Sequence, residues 1–379
     1  MGETVDPLGL PEGVPALSSL YLYISGACNL ACRHCWVQPD PAGGAPGPYL
    51  KTEWVEAALR QAAGLGLQSV KLTGGEPLLH PEFTRILDLL EGAGVSAHIE
   101  TNGTLIDHAA AATLKDHSCI RSVAVSLDGA AAATHEQLRG VPGSFRQAVA
   151  GIERLAEQGL KPQLICTVHQ GNRGEIRELL LLAEQLGCGS VKLNQLQPAG
   201  RGTQFARSSG LGVEAFIALF RQVESQWASV VSIPVHVDLP PAFYSIQWLL
   251  KDAGKRCTVR NILGILATGE LSLCGIGVTV PEMVFGHIDT DDLRAVWCRH
   301  PVLEDLRSKV PARLDGICGT CLHRGSCQGF CVAANYLNGG CLEAPYAFCR
   351  EAYQLGIFPE SRMRPSQPGD PLQAESTCS

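Results

Sequence analysis

The chain has 379 residues, 45% of them hydrophobic and 18% charged, with a net charge of −7. This is ample material for a buried core. It excludes collagen, coiled coil and wholesale disorder, and it argues against a nucleic-acid partner, which would call for a basic surface. Residues 1–20 carry Glu3, Asp6 and Glu12, with no basic cluster and no apolar run of signal-peptide length. No stretch reaches the roughly 18 apolar residues of a membrane span. The expectation is a cytoplasmic protein with no membrane partner, whose 16 cysteines are reduced thiols. Thiols at ordered spacing in a reducing compartment point to metal or redox chemistry.

In chain order, β-type runs at 20–25, 69–73, 97–101, 122–127, 163–168 and 190–195 alternate with helical runs near 52–65, 82–92, 106–115, 144–158 and 173–186. The last shows one apolar helical face: Ile176, Leu179, Leu180, Ala183 and Leu186. Regular alternation predicts parallel strands with helices outside, an α/β fold. Six such units make a partial (β/α)6 TIM-like barrel, since eight need about 250 residues. Two Gly/Pro-rich loops, 38–49 and 199–212, read either as covers or as connectors. A helix near 213–230 leads to 235–243, and after Gly254 the composition turns Cys- and Gly-rich. The expected division is a core at 18–235, a junction at 236–256, a Cys-rich domain at 257–350 and a disordered tail at 359–379.

Catalytic groups in such folds sit where strands end. Here the first strand runs into Cys28, the second into Gly74–Pro77, the third into Asn102 and the fourth into Asp128. Cys28, Cys32 and Cys35 form CxxxCxxC. Three thiolates can wrap one metal centre. A [4Fe–4S] cluster normally takes four cysteines, so three leave one iron open to a ligand from solution. A zinc site completed by His34 or a distant residue is the alternative.

With the strand ends in this order, the domain resembles the radical SAM superfamily over roughly residues 18–200. The resemblance implies that CxxxCxxC holds a [4Fe–4S] cluster whose open iron binds S-adenosylmethionine (SAM). It implies cofactor contacts from Gly74, Gly75, Glu76 and Pro77 (a GGEP motif), Asn102, Ser126 and Asp128. It also implies contacts from Arg139 toward the cofactor carboxylate, from Leu193 and Asn194 toward adenine and ribose, and from His34 beside the last cluster cysteine. Read for themselves, two glycines admit close backbone approach and a carboxylate accepts from an ammonium group. GGEP alone would also serve as a turn before a helix, and Arg139 as a surface ion pair.

The second cysteine string is Cys257-x11-Gly269-x4-Cys274, then Cys318-x2-Cys321-x5-Cys327-x3-Cys331, then Cys349. Its CxxC element alone suggests zinc. The whole string resembles the SPASM extension of radical SAM enzymes, which implies two auxiliary [4Fe–4S] clusters. Cys318, Cys321, Cys327 and Cys349 would hold the outer one. Cys257, Cys274 and Cys331 would hold the inner one, with Cys341, a carboxylate, a substrate or solvent as fourth ligand. Cys119, Cys166, Cys188, Cys298, Cys341 and Cys378 remain; most read as small core hydrophobes, with Cys341 the best exception.

The resemblance implies oxidative modification of a ribosomally made peptide, a C–C or thioether crosslink. The partners it implies are the peptide, a separate leader-binding protein, since only about twenty residues precede the first strand, and a flavodoxin or ferredoxin as electron donor. The alternatives are a haem-pathway decarboxylase, a sulfatase maturase and, outside catalysis, a zinc-stabilised interaction module. Sulfatase maturases carry an acidic general base directly after the second inner-cluster cysteine, whereas Gly275 follows Cys274 here. Asp238 and His236 are weak candidates for a base, and the catalytic residue is otherwise unknown.

Overall fold

The computed structural model describes residues 8–38, 40–41, 47–251 and 259–365. Cys257, Cys378, residues 252–256 of the expected 236–256 junction and residues 366–379 of the expected tail lie outside the described residues. The six expected strands are present: β1 (Ser19–Ser25), β2 (Ser69–Gly74), β3 (Ser96–Thr101), β4 (Ile120–Ser126), β5 (Gln163–Val168) and β6 (Ser190–Gln195). All pair in parallel. The connecting helices are α1 (Thr52–Ala63), α2 (Phe83–Gly92), α3 (His108–Asp116), α4 (Ala132–Arg139), α5 (Ser144–Glu157) and α6 (Ile176–Gln185). The apolar face read in α6 is real: Ile176, Leu179, Leu180 and Ala183 have no exposed surface. They pack with Leu164, Cys166 and Val191 of the neighbouring strands in one continuous core.

The sheet is larger than the sequence pattern predicts. A short strand, β7 (Val235–Val237), extends it beyond β6. At the other edge β8 (Ile262–Ile265) pairs parallel with β1 in the register Ser19↔Ile262, and β9 (Glu270–Ser272) and β10 (Val284–His287) follow antiparallel. The strand order is β10-β9-β8-β1-β2-β3-β4-β5-β6-β7, ten strands with β7 and β10 as edges. The Cys-rich region therefore begins as a continuation of the barrel sheet. These strands escaped the sequence reading because three or four residues are too few to show a period.

The 199–212 loop contains a helix, α7 (Gly202–Ser209), followed by α8 (Val213–Gln222). Arg201 N–H donates to Cys35 O at 3.0 Å, so this loop is anchored against the first cysteine loop. The start of the expected disordered tail is ordered. Leu322 N–H donates to Arg362 O at 2.8 Å, Arg364 N–H donates to Thr320 O at 2.9 Å, and Arg362 Nη2 reaches Tyr244 O at 3.1 Å. Backbone pairing outweighs the polar composition of these residues.

β1 lies between β2 and β8 and holds the two halves of the sheet together. Its Leu22 has no exposed surface. Leu22→Ala should cost about 2–5 kcal/mol, read as a lower urea midpoint with an unchanged m-value under anaerobic conditions.

Candidate functional site

The first cysteine loop leaves β1 and is folded back onto the other strand ends. Gly26 N–H donates to Pro48 O at 2.7 Å, and Ala27–Cys28 pairs with Asp40–Pro41. Gly75 N–H donates to Ser25 O at 2.6 Å, and Glu76 N–H donates to Ala27 O at 2.8 Å. Gly74 has φ +135°, and a Cβ there would collide with the Ser25 carbonyl, so only glycine allows the ends of β1 and β2 to close. The Glu76 side chain is fully buried. It accepts from Thr101 Oγ1 at 2.7 Å, Leu78 N–H at 3.1 Å and Asn102 N–H at 2.8 Å. Its carboxyl thus braces the β2 and β3 ends, and an ammonium group would have to share it. Burial pushes its pKa up despite these donors. Asn102 completes the brace: its Nδ2 donates to Asn29 Oδ1 at 2.8 Å and lies 4.0 Å from Cys28 Sγ.

Cys28 and Cys32 are buried around Leu30, with Cys35 packed against them. Their sulfurs meet N–H donors: Leu30 N at 3.4 Å from Cys28 Sγ, and Arg139 Nη1 at 3.6 Å from Cys32 Sγ. Burial pushes the Cys28 thiol up to about 12 and raises Cys32 as well, although Arg139 opposes the second shift. Without a metal these sulfurs stay protonated, and loading a centre must release protons. Sulfur-directed N–H groups and a nearby guanidinium suit an anionic thiolate-held cluster, whose potential depends on such hydrogen bonds. Among the described residues, no three His, Cys, Asp or Glu side chains are drawn together closely enough to hold a metal ion.

Arg139 is buried at the end of α4, and its Nε lies 2.6 Å from Asp128 Oδ2. Asp128 Oδ1 accepts from Thr167 N–H at 2.8 Å. Burial alone would raise Asp128, but the Arg139 guanidinium, helped by the Thr167 N–H, outweighs it and holds the carboxyl down at about 2. The surface ion-pair reading of Arg139 is therefore replaced by a buried pair. Asn172, also fully buried, donates from Nδ2 to Asp128 O and Thr167 O, both at 2.8 Å, pinning the ends of β4 and β5. Sequence reasoning missed it, because an asparagine after a strand carries no pattern. His135 Nδ1 accepts from Asp128 N–H at 3.1 Å, a second partner the sequence did not reveal. His34 is neutral: burial first, and then Arg139, lower its pKa to about 3.

Ser126 ends β4 in register with Ile165. On β6 the Leu193 side chain is buried in the core, while Asn194 keeps a buried Oδ1 with no hydrogen-bond partner. Of this pair, Asn194 is thus the side chain with a polar atom left for a ligand. Below the mouth, inward-facing side chains line a cavity of about 220 Å³: Lys71, His98, Glu100, Lys192, His236 and Asp238 among them. Lys71 Nζ pairs with Glu100 at 2.8 Å. The two weak base candidates are thus brought into the barrel interior.

In the Cys-rich region, Cys318, Cys321, Cys327 and Cys349 line one small apolar cavity with Pro241 and Phe358. Tyr346 N–H points at Cys318 Sγ at 3.4 Å, and His323 N–H at Cys321 Sγ at 3.3 Å. Cys318 and Cys349 are hydrogen-bonded to one another, which raises the Cys349 pKa, with Cys327 and Cys321 adding to the rise. The four cysteines expected for an outer cluster thus line one cavity. Cys331 Sγ faces Ala334 N–H at 3.4 Å, and Cys274 lies beside Tyr23. Cys119, Cys166, Cys188 and Cys298 are buried free thiols, as small core hydrophobes would be. Cys341 is disulfide-bonded, a departure from the reduced state expected of all the cysteines.

A parallel partial barrel with three thiols, a Gly-Gly-Glu turn and a buried Asp–Arg pair at its mouth defines a radical SAM fold. Residues 22–183 match the family model of the Radical SAM superfamily. The chain is 28% identical to the AdoMet-dependent heme synthase of Methanosarcina barkeri, over 86% of this chain and 95% of that one. It is also 28% identical to the Mycofactocin maturase MftC of Mycobacterium ulcerans, over 93% of each. Among solved structures, SuiB of Streptococcus suis bound to precursor peptide SuiA superposes with a TM-score of 0.71 at 19% identity, covering 89% of this chain and 76% of that one. No helix among the described residues is long and apolar enough to cross a membrane.

Asp128→Asn leaves a buried guanidinium without its anion. It should destabilise the apo fold by about 3–5 kcal/mol, measured by anaerobic denaturation. Thr134→Ala, on the helix that carries Arg139 and outside the pair, should cost far less.

Proposed function

We propose that this protein uses SAM and a [4Fe–4S] cluster held by Cys28, Cys32 and Cys35 to oxidise a ribosomally made peptide, with a C–C or thioether crosslink as the product. When bound, the cluster and SAM supply an electron and a 5′-deoxyadenosyl radical that removes a hydrogen atom from the substrate. The observation that carries the reading is the packing of buried Cys28 and Cys32, with N–H donors on both sulfurs, and half-buried Cys35 against the Gly74–Glu76 turn. Arg139 offsets negative charge at Cys32, Glu76 and Asn102 fix the turn, and Asn194 offers an acceptor. The Cys318, Cys321, Cys327 and Cys349 set would hold an outer auxiliary cluster. Cys257, Cys274 and Cys331 would hold an inner one. A flavodoxin or ferredoxin would supply electrons, and a separate leader-binding protein would present the peptide.

Similarity to MftC and the fold of peptide-bound SuiB support a peptide substrate. The interior cavity of about 220 Å³ is smaller than the roughly 300–1,000 Å³ of drug-sized ligand sites, which suits one side chain of an extended peptide. His236 and Asp238 line it, with His98 and Glu100, and are among the groups that could take a proton from that side chain. The heme-synthase similarity, equal in identity, favours a second reading as a porphyrin-pathway enzyme; the size of the cavity counts against it. The sulfatase-maturase reading needs an acidic side chain at position 275. A Cβ there would lie 2.5 Å from Tyr23 Oη and 2.6 Å from Trp36 Cη2, so a larger residue would have to displace both rings.

Protein reconstituted anaerobically with iron and sulfide, given dithionite, SAM and a co-encoded peptide, should release 5′-deoxyadenosine and yield peptide lighter by two hydrogens. Replacing Cys28, Cys32 and Cys35 together by Ala should abolish both products and remove about four irons per chain. Deoxyadenosine release with an unchanged peptide, alongside decarboxylation of a porphyrin, would favour the second reading.

A further inference from the structure

The inside of the barrel is charged where packing would favour apolar groups. Barrel interiors are ordinarily filled by layers of branched aliphatic side chains. On β6, Val191 and Leu193 have no exposed surface and pack in the core between sheet and helices. Strand alternation turns Lys192, between them, to the opposite face. There the half-buried lysine lines the interior cavity of about 220 Å³. A lysine on the inward face of a central strand calls for a partner.

The polar groups around Lys192 largely answer one another. Lys71 Nζ pairs with Glu100 Oε1 at 2.8 Å and stands 4.5 Å from the centre of the Tyr21 ring. His98 Nδ1 meets Ser122 Oγ at 2.8 Å, and Gln163 Nε2 donates to Ser190 Oγ at 3.0 Å. Asp238 follows β7, within electrostatic reach of the Tyr346 phenol. Burial alone would raise the Glu100 pKa, but Lys71 in contact, and then Lys192 and His98, hold it below the ordinary carboxylate value. Glu100 is thus an anion already taken by Lys71. Among the described residues no carboxylate lies within ion-pair distance of Lys192. An ammonium group brought to a cavity wall gives up hydration, and only an anion in that cavity offsets the loss.

We propose that Lys192 holds a carboxylate of the substrate inside the barrel, an acidic side chain or the chain terminus of the peptide. This deepens the proposed peptide oxidation and rests on it for the nature of the ligand. Lys192 pairs in register with Ile165 of β5 and His236 of β7, and all three line the cavity. A carboxylate on Lys192 therefore has an imidazole on one flank and an aliphatic side chain on the other. Glu100 and Asp238 line the same cavity and repel each further negative charge, so a carboxylate monoanion is favoured over a phosphate dianion. With a net charge of −7 the protein has no general attraction for anions, and uptake of one needs a specific cation. The step is binding alone; it decides which part of the peptide enters the barrel.

The test uses full-length protein reconstituted anaerobically with iron and sulfide, and isothermal titration calorimetry with capped tripeptides. Acetyl-Gly-Glu-Gly-amide should bind about tenfold tighter than acetyl-Gly-Gln-Gly-amide, or acetyl-Gly-Gly-Leu acid about tenfold tighter than its amide. The first pair reports a side-chain carboxylate and the second a chain terminus. Lys192→Met keeps the length and drops the charge, and should remove the preference; Lys192→Arg should keep most of it. If Lys192→Met fails to fold, Lys192→Gln makes the same comparison. Equal binding of acid and amide in both pairs, or no binding of any, overturns the carboxylate site. The peptide reading is judged separately, by the two-hydrogen loss from the co-encoded peptide. A preference that outlasts the loss of the lysine charge overturns the role of Lys192. Coproporphyrin III held through Lys192, with neither acid tripeptide bound, supports the carboxylate site and overturns the peptide as its ligand.

Discussion

A single buried guanidinium organises the mouth of the barrel. Arg139 reaches from the end of α4 to Asp128 at the end of β4 and to Cys32 in the first cysteine loop. A buried cation without an anion is costly, so this geometry is over-determined. Asp128 is held by Thr167 N–H, His135 accepts from its backbone N–H, and Asn172 ties its carbonyl to β5. The same cation lies where thiolate charge would accumulate on cluster loading. Its place in the fold and its place in the chemistry therefore have one electrostatic origin.

The second organising constraint is close backbone approach. Gly74 allows β2 to turn directly onto the Ser25 carbonyl, which seats the cysteine loop over the strand ends. Gly275 does the same on the far side, bringing the Cys-rich region onto Tyr23 and Trp36. Both are positions where a methyl group has no room. The parallel pairing of β8 with β1 sets the distance between these contacts. The C-terminal region is thereby a structural extension of the barrel, sharing its sheet and its core.

Much of this was legible in the linear chain. The α6 face was readable because its helical period repeats over three turns, and the six core strands because each is a β-rich run between turn residues. CxxxCxxC and the C-terminal cysteine spacings were readable because metal ligation constrains local spacing tightly. Asn172, His135 and Tyr23 were not. Each acts through partners distant in sequence or through a side-chain hydrogen bond, and a lone Asn, His or Tyr has no periodic signal. The strands β7 and β8 were missed for the related reason that their pairing with β6 and β1 is non-local, and β9 and β10 because they are too short to show a period.

The amino-acid order by itself determined the βα alternation, the metal-type cysteine strings and the strand ends at which chemistry would gather, because each depends on neighbours within a few residues. The tertiary structure alone decided that Arg139 pairs inward with Asp128 and that the Glu76 carboxyl braces the strands. It alone brought His236 and Asp238 into one cavity, and Tyr23 and Trp36 between two cysteine regions. Those outcomes depend on which distant groups are desolvated together, and burial is a property of the folded chain.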